Sequence, residues 1–101
     1  MSLGDAMNRL DEVVHSPVRF AIMAALASVD NATYQALKDE LGTSYALLSK
    51  HATILEDKGY LEINKSFLGK KPHTVFRLTK AGRKAYRDHT TALKDLQRGL
   101  R

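Results

Sequence analysis

The stretch LGTSYALLSKHATILEDKGY, residues 41–60, decides the fold. Gly42 and Thr43 suit a tight turn, Ser44 carries the hydroxyl of an N-cap, and Gly59 suits a helix C-terminus. Between them the spacing predicts a helix over 44–58. Leu48, Ala52 and Leu55 share one side of it, and Tyr45, Ser49, Lys50 and Thr53 share another. No acid falls between Glu40 and Glu56, so the second side lacks the alternating charges that support a solvated helix face. That face is reserved for a partner.

Upstream, Thr33 can cap a short helix running to Leu41, with Leu37 and Leu41 inward. Two helices joined by a glycine-containing turn form a helix-turn-helix. Before them, SPVRFAIMAALASVD offers Ser16 as a cap and Pro17 for the first turn. It sets Val18, Ile22, Ala25, Leu26 and Val29 on one face, and the polar residues from Asp30 close it. Leu3, Met7, Leu10 and Val14 recur at steps of four, three and four, which predicts a first helix over 3–14.

Downstream of Gly59 the period changes to two. Leu61 and Ile63 alternate with Glu62 and Asn64, and Phe76 and Leu78 with Val75 and Arg77. Between these short strands lies SFLGKKPHT, whose Gly69 and Pro72 suit a hairpin tip, so a basic wing is expected over 64–75. Thr79 can then cap a long last helix over 80–101, with Tyr86, His89, Leu93, Leu96 and Leu100 on one seam. The expected fold is mainly α with a small β-hairpin: a winged helix-turn-helix with additional N- and C-terminal helices, in one domain spanning 1–101.

Charge agrees with a polyanionic partner. The net charge is +5, and from Ile63 to Arg87 eight of the sixteen basic residues occur without one Asp or Glu. There is no cysteine, which excludes disulfides, thiolate metal sites and a cysteine nucleophile. The histidines lack the spacing of a zinc helix, and no phosphate loop, nucleophile elbow or paired catalytic carboxylates occur, so neither an enzyme nor a cofactor is expected. No apolar run has the length of a membrane span, and MSLGDAMNRLDEVV lacks the pattern of a secretory signal. The expectation is therefore a cytoplasmic protein with no membrane partner.

The partner expected is double-stranded DNA, whose major groove admits one helix. On the recognition helix the candidates are Ser44, Tyr45, Ser49, Lys50 and His51, with Ala46 and Leu47 flanking. His51 either approaches a phosphate or rests on the helix flank. On the wing they are Lys70, Lys71, His73 and Arg77, which would supply backbone affinity rather than sequence choice. Arg83, Lys84 and Arg87 read as a solvated face. The terminal helices, 1–15 and 80–101, either cover each other or form a dimer interface through Leu3, Met7, Leu10, Val14, Tyr86, His89, Leu93, Leu96 and Leu100. The dimer is preferred, because one small domain buries too little DNA for strong specificity.

LGTSYALLSKHATILEDKGYLEI followed by VFRLTKAGR resembles winged-helix transcriptional regulators of the MarR and ArsR type. Leu55, Glu56, Gly59 and Tyr60 match the turn that ends their helix-turn-helix. Leu78, Thr79 and Gly82 match the start of their helix after the wing. The resemblance implies homodimers on palindromic operators, with a helix in the major groove and a wing at the minor groove or backbone. Two departures limit what it implies. Without cysteines thiolate metal sensing is not carried over, and the chain is short for an effector pocket between terminal helices. The contrasting readings are a winged helix that docks proteins and a nonspecific DNA coat.

Overall fold

Each of the five helices found among the described residues begins on a hydroxyl. In the computed structural model, which describes residues 2–99, α1 (Leu3–Asn8), α2 (Pro17–Ala27), α3 (Tyr34–Leu41), α4 (Tyr45–Asp57) and α5 (Lys80–Arg98) come directly after Ser2, Ser16, Thr33, Ser44 and Thr79. Each side-chain oxygen accepts an amide of the first turn, at 2.9 Å for Thr79 and 3.1 Å for Thr33 and Ser44. Such a cap is worth about 1 kcal/mol.

The strands are β1 (Ala32–Thr33), β2 (Leu61–Leu68) and β3 (Lys71–Leu78), in the antiparallel order β1-β3-β2. Ile22, Met23 and Leu26 of α2, Leu37 of α3, and Leu48, Ala52 and Leu55 of α4 close on Leu61, Phe76 and Leu78 of the sheet. This core clamps the inward side of α4. Beyond it the β2–β3 ribbon runs into solvent, every residue from 64 to 72 being exposed. The molecule is therefore elongated, 56 × 25 × 21 Å.

Several local expectations are corrected. The sheet has a third strand: Ala32 pairs with Phe76 and Thr33 with Val75, whereas the sequence shows only a helix end and the Thr33 cap there. The ribbon is longer, and its two-residue turn is Gly69-Lys70, with Gly69 at φ 65 as a type II′ turn requires. Pro72 lies within β3 rather than at the tip. Leu68 and Lys71 flank the turn as the hydrogen-bonded pair, so Phe67 and Pro72 form the next, non-hydrogen-bonded pair and the missing N–H is not needed. Finally, α1 ends at Asn8 instead of continuing to Val14. The Asp11 carboxylate accepts the amides of Val13 and Val14, at 2.9 and 3.3 Å, which offers this segment an alternative to helix. Val29, expected on the inward face of α2, is exposed because that helix ends at Ala27.

The end of α4 and the start of α5 are joined. Gly59 and Tyr60 donate their amides to Glu56 and Leu55, a Schellman turn. Thr79 donates its hydroxyl to the Gly59 carbonyl at 2.6 Å and its amide to the Tyr60 carbonyl at 3.1 Å. The backbone of Tyr60 passes so near Gly82 that the latter has no room for a side chain.

Candidate nucleic-acid interface

Tyr34 braces α4. Its hydroxyl donates to the Tyr45 carbonyl at 2.7 Å, and its ring stacks on the Tyr45 ring with centroids 4.3 Å apart. The same ring leans on Phe76 of β3. The Tyr34 hydroxyl also bonds the Ser49 hydroxyl. A phenol has one proton, already given to Tyr45, so Ser49 donates and Tyr34 accepts. Ser49 is thus half-buried and turned towards α3, with only lone pairs left for another partner.

The side of α4 opposite Leu48, Ala52 and Leu55 carries Ala46, Lys50 and Thr53, all exposed, with Tyr45 and Leu47 exposed beside them. Lys50 makes no ion pair among the described residues. Ser44 is exposed, but its side-chain oxygen is used by the Leu47 amide. His51 turns inward, where its Nδ1 accepts from the Arg19 guanidinium at 2.9 Å while Arg19 Nε donates to the Val13 carbonyl. Burial first, then Arg19 and Lys50, push the His51 imidazole below its ordinary value. His51 is a neutral tie between α4 and α2, not an outward cation.

On the wing, Lys70 and Lys71 are exposed and His73 is half-buried. Arg77 differs from the expectation. It lies directly across from Glu62, and its Nε and a terminal nitrogen both bond that carboxylate, so its charge is already neutralised. Lys65, absent from the residues expected on the wing, lines the groove between α4 and the ribbon with Tyr34, Tyr45, Ser49, Thr53 and Thr74. Register explains the omission: Lys65 shares the sheet face of Ile63, so it points to the α4 side. Arg83, expected on a solvated face, caps α2 by donating to the carbonyls of Ala27 and Val29 at 3.0 and 2.9 Å.

The terminal seams meet within the chain. α1 packs along α5, with Arg9 bonded to Asp95 at 2.5 Å. Val14 and His89 are enclosed by the chain's own side chains, and Tyr86 is half-buried beside the Phe20 ring, so these three are core residues. Leu3 and Met7 are exposed; Leu10, Leu93 and Leu96 are half-buried; Leu100 lies outside the described residues. Ala6 and Ala92, both buried and absent from the expected seams, are contact residues those seams missed.

His89, itself buried, belongs to a polar network that reaches the surface at His15. Its Nδ1 accepts the Asp11 amide at 3.0 Å, which leaves the proton on Nε2, 3.4 Å from His15 Nδ1. Asp11 in turn accepts the Tyr60 hydroxyl at 2.5 Å. Burial and then His15 push the His89 imidazole down, and burial and then Asp11 push the Tyr60 phenol up to about 12. Among the described residues no group of three or more His, Asp or Glu is arranged to hold a metal ion. No helix among them is long and apolar enough to cross a membrane.

A braced second helix with an outward face, leading into a basic ribbon, defines the class of winged-helix DNA-binding domains. The chain belongs to that family: the model of the winged helix DNA-binding domain matches residues 18–97. It is 26% identical over 89 residues to the uncharacterized protein MJ0432 of Methanocaldococcus jannaschii, covering 88% of this chain and 97% of that one. Among solved structures it is similar to a transcriptional regulator homologue from Pyrococcus horikoshii OT3. That match has 26% identity and a TM-score of 0.84, over 97% of this chain and 95% of the other. The PcaV transcriptional regulator of Streptomyces coelicolor shares the fold at 16% identity and a TM-score of 0.74, over 90% of this chain and 63% of PcaV.

Proposed function

We propose that this chain is a sequence-specific, dimeric transcriptional regulator that lays α4 in the major groove of duplex DNA and its wing on the flanking backbone and minor groove. One observation carries the reading. Lys50, which makes no ion pair among the described residues, stands exposed between Ala46 and Thr53 on a helix whose other sides are fixed by the core, Tyr34 and Arg19. Lys50 is the base-contacting residue of choice, suited to a guanine edge, and Ala46 and Thr53 offer methyls and a hydroxyl beside it. Lys65, Lys70 and Lys71 supply phosphate contacts.

For the dimer, Leu3 and Met7 of α1 with Leu10, Leu93 and Leu96 form the apolar surface that a second copy would cover. A two-fold axis there would offer two α4 helices to successive major grooves, about 34 Å apart. The relatives named as transcriptional regulators support regulation as the biological role.

Selection from random duplexes tests the reading. The expected result is a palindrome with half-sites one helical turn apart, and a Lys50→Ala variant that loses about 1–3 kcal/mol of discrimination at one position of each half-site. A monomer with no duplex affinity at low salt would overturn it and favour a protein-docking module.

A further inference from the structure

The wing carries two large apolar side chains away from the body. Phe67 is 71% exposed and Leu68 is 64% exposed. They are consecutive on β2, so they point to opposite faces of the ribbon. A flat partner covers one face of a ribbon. Both faces are covered together when the tip enters a cleft.

The surrounding charge says what the cleft is made of. Lys65 stands two residues before Phe67 on the same face, Lys70 is in the turn, and Lys71 lies across from Leu68. No acid occurs from Ile63 to Arg87, and Arg77, the base nearest the body, is already held by Glu62. Among the described residues the cationic groups of the distal ribbon make no ion pair, and they flank an apolar tip. A cleft with anionic walls and an apolar floor complements this arrangement, and the minor groove of duplex DNA has phosphates on both walls and stacked bases between them.

We propose that the wing is a wedge. Phe67, with Leu68 behind it, enters the minor groove and parts a base step, while Lys65, Lys70 and Lys71 take the phosphates on either side. Apolar side chains inserted in this way unstack the step and kink the duplex towards the major groove, where α4 would lie. The step parted should be pyrimidine–purine, since those unstack most easily, which adds sequence preference at a position where no base edge is read. This rests on the proposed DNA binding.

The test uses the whole chain on duplexes recovered from a random pool. They carry 2-aminopurine at each step in turn and dyes at both ends. At saturation the wild-type chain should raise 2-aminopurine fluorescence at one step per wing and shorten the end-to-end distance. Phe67→Ser/Leu68→Ser should bind about tenfold more weakly, leaving the duplex dark and straight when saturated. Both replaced side chains are exposed, and an unchanged thermal transition will show that the fold is kept. Lys70→Ala/Lys71→Ala should weaken binding yet keep the fluorescence rise at saturation.

Wild-type binding with no fluorescence rise overturns the wedge alone. An absence of any duplex binding at low salt overturns the wedge and the DNA reading together. Self-association that the Phe67→Ser/Leu68→Ser variant abolishes, without a fluorescence rise on DNA, assigns the tip to a second copy instead.

Discussion

The Cβ that Gly82 lacks would stand 2.1 Å from the carbonyl oxygen of Tyr60 and 2.9 Å from its carbonyl carbon. These atoms are backbone and cannot rotate away. On helix propensity alone Gly82→Ala would stabilise α5 by about 1 kcal/mol. The contact reverses that sign, and we expect a loss of about 3 kcal/mol, the upper range of overpacking. The urea midpoint reads the result, and a stabilised variant would refute the close approach.

Tyr60→Phe keeps the ring and removes the donor to Asp11. A hydrogen bond to a charged group in a half-buried site is worth about 1–2 kcal/mol, so a loss of that size is expected by chemical denaturation. The phenol is raised to about 12 in the folded chain, above an ordinary value of about 10. Its contribution is complete below the ordinary value and is lost as pH rises through the folded one. Alkaline titration should therefore destabilise the wild type in that window and affect the Phe variant less.

His89 works in the opposite direction. Its folded imidazole titrates below the ordinary value, so the unfolded chain binds more protons as pH falls. Its contribution is present above about pH 6.5 and disappears as pH falls through the folded value. A protonated ring would turn Nδ1–H against the Asp11 amide. The melting temperature should drop on mild acidification, and His89→Gln should flatten the dependence in part. His51, shifted the same way, supplies the remainder.

Wing residues separate by their partners. Removing Lys65, Lys70 or Lys71 should each reduce the slope of log affinity against log salt by about 0.9 if one phosphate contact is lost. Arg77→Gln should leave the slope nearly unchanged, because Glu62 already neutralises that charge. An equal effect from Arg77 would show that the pair opens on DNA.

Arg83 should matter for stability and not for affinity. Its guanidinium holds two carbonyls at the end of α2, and Arg83→Lys cannot span both. A loss of about 2 kcal/mol with an unchanged salt slope is expected.

Local signals in the sequence were sufficient for most of the architecture. Ser16, Thr33, Ser44 and Thr79 each precede an apolar period and each proved to be a cap, and Gly59 ends α4 as its position implied. What stayed hidden depends on distant partners. Two residues, Ala32 and Thr33, cannot display a strand period, and their pairing is visible only once β3 is placed. The end of α1 is set by the Asp11 side chain competing for backbone amides. Ser49 and His51 sit at the right spacing to face outward, but Tyr34 and Arg19 claim them from other helices. Arg77 needed the strand register before Glu62 could be seen opposite. The exposure of Lys50, Lys70 and Lys71 was legible, because a lone cation makes no demand on tertiary context.

The double use of Thr79 has a practical consequence for engineering. Its hydroxyl gives its proton to Gly59 and takes the Gly82 amide, so the turn after α4 belongs mechanically to α5. A chimera that exchanges recognition helices between relatives should therefore be spliced after Ser44 and before Gly59. Cuts placed at Tyr60 would transplant half a joint, and the new helix would arrive with its pitch set by the wrong body.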